Sequence, residues 1–298
     1  MREKITSLLA SKKVRTVAGI AVLVISIILF ATYAATHPEL FAHIVSLQPH
    51  EAISIIALYF VFLGTTAAIL YVNVQMCKSS IKRKEGMLLT IYSTIVNFFG
   101  PLQSGPGFRA VYLKNKLGIK LRDYGLASIY YYLFFALFSG IFLLLGILPP
   151  LVLLLVFIPL IGLALLYMFW RKKHHKKILT GSPKLFVWLG LATFAQVFVV
   201  AIIYFIELQS INSGITLQQA FTYCGAANFA LFVALTPGSI GIRESFLLFS
   251  QQLHGIDSQT VIAASVIDRA FYFVFLGMLF ILATSLHAKD KLQARQKN

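Results

Sequence analysis

Acidic residues are scarce in this 298-residue sequence, in which ten Asp and Glu stand against 26 Lys and Arg and the net charge is +16. Charged residues make up only 12% of the chain, which is about half the fraction of a soluble domain. Hydrophobic residues make up 58%, and the mean hydropathy is +0.82. No polar stretch is long enough for a separate catalytic domain. The composition predicts an all-α polytopic membrane protein that forms a single integral-membrane domain over residues 1–298.

Residues that carry catalytic or metal chemistry are also sparse. Cys77 and Cys224 are too few for a disulfide framework or a cysteine metal site. The sequence contains no Asp-x-Asp, His-Glu-x-x-His or Gly-x-Ser-x-Gly motif. We therefore expect no metal, no cofactor and no enzymatic activity. Because the basic residues lie mostly in short loops between apolar runs, they indicate membrane topology and attraction to anionic lipid, and we expect no nucleic-acid binding.

Six apolar stretches are long enough to cross a hydrocarbon core, which takes about 20 residues in a helix. We predict these full crossings at residues 17–35, 52–74, 126–147, 151–170, 185–206 and 260–282. Two further apolar segments, at residues 87–99 and 220–235, each end in a break that is rich in Gly and Pro. Broken backbone is tolerated at membrane depth only where protein or a wet cavity surrounds it.

Loop charge predicts how the two broken segments run. Lys and Arg are concentrated at 78–84 and 114–122, on both sides of the first segment, so the positive-inside rule makes it enter and leave from the cytoplasm. The flanks of the second segment, 207–219 and 251–259, contain no Lys or Arg, so we expect outer loops there. The predicted topology has six full spans, two re-entrant helical hairpins and both termini in the cytoplasm.

The two broken segments share a sequence pattern. Asn97 precedes the Ser-Gly-Pro-Gly-Phe-Arg motif that ends at Arg109, and Asn228 precedes the Pro-Gly-Ser-Ile-Gly-Ile-Arg motif that ends at Arg243. Each motif leads into a similar apolar span.

These patterns belong to an internal repeat. Repeat A covers about 52–147, the span at 151–170 connects the repeats, and repeat B covers about 185–282. Because the two repeats run through the membrane in opposite directions, they form an inverted repeat. This arrangement is typical of transporters with a binding site near the bilayer midplane.

Five charged residues are predicted within or beside the membrane core: Arg109, Arg243, Glu244, Asp268 and Arg269. Charges at that depth are costly and indicate function by default. Neighbours on a helix do not face each other, so we expect cross-pairs of Asp268 with Arg243 and of Glu244 with Arg269. One Arg then remains in excess, which predicts an anionic guest such as a lipid phosphate. The alternative is a salt-bridge lock without a ligand.

The Gly and Pro residues of the breaks, and the Asn before each break, complete the candidate binding site. Glycine backbone N–H groups at the start of a half-helix are suited to an anion, although the same residues are also needed simply to turn the chain. The asparagines are suited to tying the hairpins to neighbouring helices or to contacting a ligand. This set comprises Gly105, Gly107, Pro237, Gly238, Gly241, Asn97 and Asn228.

The motif at 237–244, the pair at 268–269 and the motif at 107–109 resemble the flippase-like transmembrane region of lysylphosphatidylglycerol synthases. The resemblance extends over about 17–282 and implies movement of a phospholipid or polyprenyl-linked lipid between leaflets. It places Arg243, Glu244 and Arg269 at matching positions. Members of that family often have an acidic–Arg pair where this chain has residues 131–132, both Tyr. The aminoacyl-transfer domain of the full synthases is missing from the sequence, so we expect no lysyl transfer.

The function that we expect is a flippase or scramblase-like transporter in the plasma membrane, with membrane lipids as its partners and Arg243 and Arg269 on the anionic headgroup. One alternative is an intramembrane enzyme that acts on lipid-phosphate headgroups, for which Glu244 and Asp268 are the available acids or bases. Another is an accessory partner of a glycosyltransferase or a lipid-modifying enzyme. The oligomeric state is left open.

Overall fold

The computed structural model describes residues 47–99, 104–149, 151–152, 155, 162, 182–232, 239 and 241–296. Within these ranges the chain is helical and forms no strand, as predicted for an all-α protein. The helices, numbered in chain order, are α1 (Pro49–Met76), α2 (Arg83–Phe99), α3 (Ser104–Leu117), α4 (Leu121–Leu144), α5 (Pro183–Ile211), α6 (Leu217–Phe232), α7 (Ile242–Phe249), α8 (Gln251–His254) and α9 (Ser258–Gln296).

Among the described helices, four are long and apolar enough to cross a membrane: α1, α4, α5 and the Ser258–Leu286 part of α9. They coincide with the predicted crossings at 52–74, 126–147, 185–206 and 260–282. The predicted crossing at 17–35 lies outside the described residues, and so does nearly all of the one at 151–170. The structure thus supports a multi-pass membrane protein, while the count of six spans and the re-entrant path of the hairpins stay predictions.

Local sequence explains where two of the long helices begin. Proline is favoured in the first turn, where its missing N–H breaks no helical hydrogen bond, and α1 and α5 both start with one. Before α1, the Gln48 backbone N–H donates to Glu51 Oε2 at 2.9 Å. Before α5, Ser182 Oγ accepts a hydrogen bond from the Lys184 backbone N–H at 3.3 Å. Both contacts satisfy donors that a helix start would otherwise leave free.

Helix α5 is the centre of the described bundle because it packs against α1, α4, α6 and α9. Helix α6 packs closely against α4, and its buried residues are mostly small, with Ala220, Cys224, Gly225 and Ala227 among them. Small residues let helices approach within the membrane, where tight packing takes the place of the hydrophobic drive.

The first predicted hairpin is present as the helix pair α2–α3. Ser104 Oγ donates to the Val96 carbonyl at 2.9 Å near the turn. At the other end of the pair, Tyr112 Oη donates to Glu85 Oε1 at 2.8 Å. These contacts hold α2 and α3 side by side in opposite directions, and the turn itself, at 100–103, lies outside the described residues.

The second predicted hairpin corresponds to α6 followed by α7 and α8. Its break falls at 233–238 and 240, which are not described, so the predicted roles of Pro237 and Gly238 cannot be placed on the structure. Gly241, directly before α7, has a φ of 82°, a backbone conformation that glycine adopts without steric penalty. The turn into α7 therefore requires this residue.

The prediction that an outer loop begins at residue 207 is wrong. Helix α5 continues to Ile211, so Glu207 is helical and its side chain is fully buried. The helix extends beyond the apolar run because its next turn is also covered: Leu208 is fully buried, and Ile211 packs against the same hydrophobic cluster. A charged residue after an apolar run marks the end of a membrane span only where the fold exposes its side chain to water.

His254, at the end of α8, should make stability depend on pH. The ring is buried, its Nδ1 accepts from the Ile256 N–H at 3.2 Å, and its Nε2 lies 3.0 Å from the Leu247 carbonyl. Nε2 therefore carries the proton of a neutral ring. Burial lowers the pKa of His254, and the Leu247 carbonyl opposes this shift. Because the unfolded chain takes up a proton more readily, this stability is present above the unfolded pKa of about 6.5 and is lost as pH falls through the lower folded pKa.

We expect the unfolding temperature in detergent to drop between about pH 7.5 and about pH 5, and His254→Gln to show a smaller drop than wild type. The control is His50→Gln, which removes an exposed histidine and should keep the wild-type pH dependence. An equal drop in His254→Gln and wild type would contradict the assignment.

Candidate functional site

A cavity of about 250 Å³ lies at the centre of the bundle. Every described helix except α8 contributes to its lining, so both predicted repeats meet there. The lining is aromatic and polar, and its charged members are Arg109, Arg243, Asp268 and Arg269. Four of the five charges predicted at membrane depth thus share one cavity, and the fifth, Glu244, is bound to one of them.

Arg243 and Asp268 form the first ion pair of the site. Arg243 Nη2 lies 2.6 Å from Asp268 Oδ2, and both side chains are 10% exposed. Tyr59 Oη donates to the other carboxylate oxygen, Oδ1, at 2.7 Å. The Arg243 guanidinium also lies over the Tyr204 ring, 5.6 Å from its centroid, which adds a cation–π contact. Helices α1, α5, α7 and α9 therefore converge on a single charge pair.

Arg269 and Glu244 form the second ion pair. Arg269 Nε donates to Glu244 Oε1 at 3.1 Å, and Nη2 of the same guanidinium contacts the same oxygen. The other oxygen, Oε2, accepts from the Gly241 N–H at 2.8 Å at the start of α7. Both predicted cross-pairs are therefore present. They form two neighbouring connections between α7 and α9, because each helix supplies one acidic and one basic residue.

Arg109 differs from the other two arginines. No carboxylate in the described part of the chain forms an ion pair with it, whereas Arg243 and Arg269 each have one. The Nε of Arg109, like that of Arg243, is buried without a hydrogen-bond partner in that part of the chain. Its charge instead interacts with the phenols of Tyr124, Tyr131 and Tyr132 on α4. Phenols are neutral at physiological pH, so they do not compensate a guanidinium as a carboxylate would.

A chain of neutral polar groups lies near Arg109. Tyr131 Oη donates to Gln196 Oε1 at 2.9 Å, and Gln196 Nε2 donates to Thr66 Oγ1 at 2.9 Å. These three residues line the cavity and join α4, α5 and α1. When the two repeats are aligned on the Ala-Ser-Ile sequence at 127–129 and the Ala-Ser-Val sequence at 264–266, residues 131–132 correspond to Asp268 and Arg269. The two halves therefore line the cavity with different side chains, two tyrosines in one and an acidic–basic pair in the other.

Two of the glycine N–H groups predicted to meet a ligand, those of Gly105 and Gly241, donate hydrogen bonds within the protein. The Gly105 N–H donates to Asn97 Oδ1 at 3.2 Å, and the Gly241 N–H is bound to Glu244. A Cβ at position 105 would lie 2.6 Å from the Ser93 carbonyl oxygen, so only glycine fits there. Gly107 is exposed. The observed contacts favour the turn-forming role of these residues over the ligand-binding one.

The two asparagines hold helices together, but not in the same way. Asn97 joins α2 to α3 within its own hairpin through Gly105. Asn228 Nδ2 donates to Ser139 Oγ at 3.1 Å, which joins α6 to the neighbouring helix α4. Both residues also line the cavity. In these contacts Asn97 uses its amide oxygen as an acceptor, and Asn228 uses its amide nitrogen as a donor.

Glu207 is the charged residue of this region that the sequence did not reveal. It is fully buried on α5, and neither carboxylate oxygen has a hydrogen-bond partner among the described residues. It interacts electrostatically with Asp268 and Arg243. The predicted count of three cations against two anions therefore becomes three against three. The only signal in the sequence was an acidic residue directly after an apolar run.

Comparison with known proteins agrees with the transmembrane character of the chain. Residues 16–279 match the family described as the lysylphosphatidylglycerol synthase TM region. The matched range contains both helix pairs and all the residues that line the cavity. No curated protein and no solved structure shows a significant match.

Proposed function

Because the chain belongs to the lysylphosphatidylglycerol synthase TM region family and is thereby linked to lipid handling, we propose that it moves an anionic phospholipid or polyprenyl-linked lipid between membrane leaflets. It would act as a flippase or scramblase-like transporter of the plasma membrane, with both termini in the cytoplasm. The observation that carries the proposal is Arg109, an uncompensated guanidinium at the edge of a central cavity.

The headgroup would bind first at the Arg109 end of the cavity. A guanidinium can hold two phosphate oxygens at once, which gives strength and orientation to the contact. The nearby hydroxyl and amide groups of Tyr131, Gln196 and Thr66 offer hydrogen bonds to the rest of a polar headgroup. The acyl or prenyl chain would remain among the aromatic side chains and the lipid.

Passage across the membrane would require the two ion pairs between α7 and α9 to open. A phosphate that reaches Arg243 or Arg269 competes with Asp268 or Glu244 for the same donors. In such an exchange the phosphate replaces the carboxylate as the anionic partner, so the buried guanidinium is not left without one. The salt-bridge lock and the ligand site are thus two states of the same residues.

The proposal is non-enzymatic. Glu244 accepts hydrogen bonds from Arg269 and from the Gly241 N–H, and Asp268 forms an ion pair with Arg243 and accepts a hydrogen bond from Tyr59. Carboxylate oxygens that are already engaged with protein donors and cations are not available to a reacting headgroup. The contacts therefore support a structural and ligand-exchanging role for the two acids.

Replacement of Arg109 by glutamine should slow lipid movement at least tenfold, as expected for the loss of a charge-assisted contact of about 1.5–3 kcal/mol. The assay measures movement of fluorescent phosphatidylglycerol between the leaflets of proteoliposomes by chemical quenching of the outer leaflet. Arg109→Lys should retain part of the rate, since it keeps the charge and loses the planar fork.

Arg122→Gln is the matched control, because Arg122 is an exposed arginine at the start of α4; its rate should equal that of wild type. Wild-type protein that moves no lipid in vesicles would refute the proposed function. Arg109→Gln with the wild-type rate would refute only the assignment of the headgroup site.

A further inference from the structure

Glu207 is a buried acid on α5, one helical turn beyond the cavity lining. It follows Ile203 and Tyr204, two lining residues of α5, by one helical turn, and its side chain has no exposed surface. Neither Oε1 nor Oε2 has a hydrogen-bond partner in the described part of the structure. Buried polar atoms are normally paired, so an unpaired buried carboxyl group calls for a specific explanation.

The groups that face Glu207 come from four helices. They are Tyr59 of α1, Tyr223 of α6, Arg243 of α7 and Asp268 of α9. The tyrosines of α4 interact with Arg109 instead. Arg243 is the only cation of the set, and Asp268 already forms an ion pair with it. Two carboxyl groups therefore share a single guanidinium.

When Glu207 and Asp268 are both ionised, Arg243 compensates only one of their two negative charges. An isolated buried carboxylate without hydrogen-bond donors is one of the most costly groups in a protein interior, and binding of a proton removes the charge. Asp268 accepts a hydrogen bond from Tyr59 on Oδ1 and has the Arg243 guanidinium 2.6 Å from Oδ2, whereas neither oxygen of Glu207 has a hydrogen-bond donor in the described part of the chain. A proton shared by the pair therefore belongs on Glu207.

We propose that Glu207 is a proton-binding site that couples proton uptake to the binding of an anionic headgroup in the cavity. With Glu207 ionised, the three arginines (Arg109, Arg243 and Arg269) and the three acids (Glu207, Glu244 and Asp268) sum to a net charge of zero, although Arg109 and Glu207 form no ion pair with each other. With a proton from water on one Glu207 oxygen, the same cluster has a net charge of +1. A monoanionic phosphate diester then restores neutrality, and no other covalent bond is formed or broken.

The proposal rests on the proposed transport function and deepens it. Proton and anionic headgroup enter together and leave together, so each cycle is electroneutral for a singly charged lipid. Movement of a dianionic or a zwitterionic headgroup leaves the cluster with a net charge. The protonated carboxyl thus favours headgroups that bear one negative charge.

The first test measures the rate of fluorescent phosphatidylglycerol movement in proteoliposomes at equal pH on both sides. The wild-type rate should fall as pH rises, by up to about tenfold per pH unit where a single proton is required. Glutamine at position 207 has the shape of a protonated, uncharged glutamate and cannot bind or release a proton. Glu207→Gln should therefore lose this pH dependence. Asp123→Asn, which removes an exposed acid at the start of α4, should keep it.

The second test uses only wild-type protein, so it remains informative if Glu207→Gln fails to fold. Proteoliposomes of phosphatidylcholine enclose a pH-sensitive dye, and phosphatidylglycerol is added to the outer leaflet. Internal acidification above that of protein-free vesicles is expected with phosphatidylglycerol, and none is expected with added phosphatidylcholine.

The two proposals fail in different ways. Absence of lipid movement refutes the transport function itself. Lipid movement at a rate that does not depend on pH, or without internal acidification, overturns the role of Glu207 and leaves the transport function in place. A Glu207→Gln variant that moves lipid with the wild-type pH dependence also overturns it.

Discussion

Arg243→Gln should lower the free energy of unfolding by about 3–5 kcal/mol, the usual cost of removing one partner of a buried ion pair. Asp268 is 7% exposed and would lose the cation that lies 2.6 Å from its Oδ2. The hydrogen bond from Tyr59 would remain, but a neutral donor compensates only part of a buried charge. The Tyr204 ring would also lose its cation. The expected effect is therefore among the largest for a single substitution in this chain.

A double-mutant cycle separates the ion pair from other consequences of the substitution. Asp268→Asn alone should also destabilise, because it removes the ion-pair partner of the buried Arg243. The double variant Arg243→Gln/Asp268→Asn should be more stable than either single variant, since both members of the ion pair are then removed together. The measurement is denaturant-induced unfolding in mixed micelles, with Arg122→Gln as the exposed control. Destabilisations that simply add in the double variant would contradict a direct coupling.

Gly225→Ala should prevent α6 from docking on α4 and destabilise the protein by about 1–3 kcal/mol or more, as overpacking generally does. A Cβ at this position would lie 2.7 Å from the Leu143 Cα and 2.7 Å from the Ser139 carbonyl oxygen. Both atoms belong to the backbone of α4, so no side-chain rotation relieves the contact. The helices must separate, and the Asn228–Ser139 hydrogen bond would be strained or broken with them.

Gly64→Ala provides a matched control, because it makes the same change within a long helix, α1, where a Cβ would meet nothing within 4 Å. It should leave stability unchanged or raise it, since alanine is the better helix former. Yield of folded protein and unfolding temperature in detergent compare the two variants. The close α4–α6 contact would be disproved by a Gly225→Ala protein as stable as Gly64→Ala.

The two ion pairs place a mechanical constraint on any transport cycle. Arg243 and Glu244 are consecutive on α7, and Asp268 and Arg269 are consecutive on α9. Each helix therefore presents one positive and one negative charge to the other. Both ion pairs can form together in only one position of α7 along α9. A shift of α7 along α9 would break both at once. Such a contact is suited to a hairpin with discrete positions, as alternating access requires.

The sequence by itself determined the class of the protein and much of its charge chemistry. Apolar runs of about 20 residues predict membrane helices because length and composition are local properties. The cross-pairs were also predictable, since consecutive residues on a helix point in different directions and each must find its partner on another helix. The positions of Arg243, Glu244, Asp268 and Arg269 in the chain thus implied their partners.

Only the tertiary structure decided which charged side chains have an ion-pair partner and which backbone N–H groups already donate a hydrogen bond within the protein. Asp268 is held by Tyr59, 209 positions away in the chain. Glu207 is fully buried on α5, where it interacts electrostatically with groups of α1, α6, α7 and α9. Sequence spacing does not encode such contacts, because burial depends on how distant helices pack. The excess charge predicted at membrane depth therefore became an unpaired Arg109 and a buried Glu207 only once the helices were assembled.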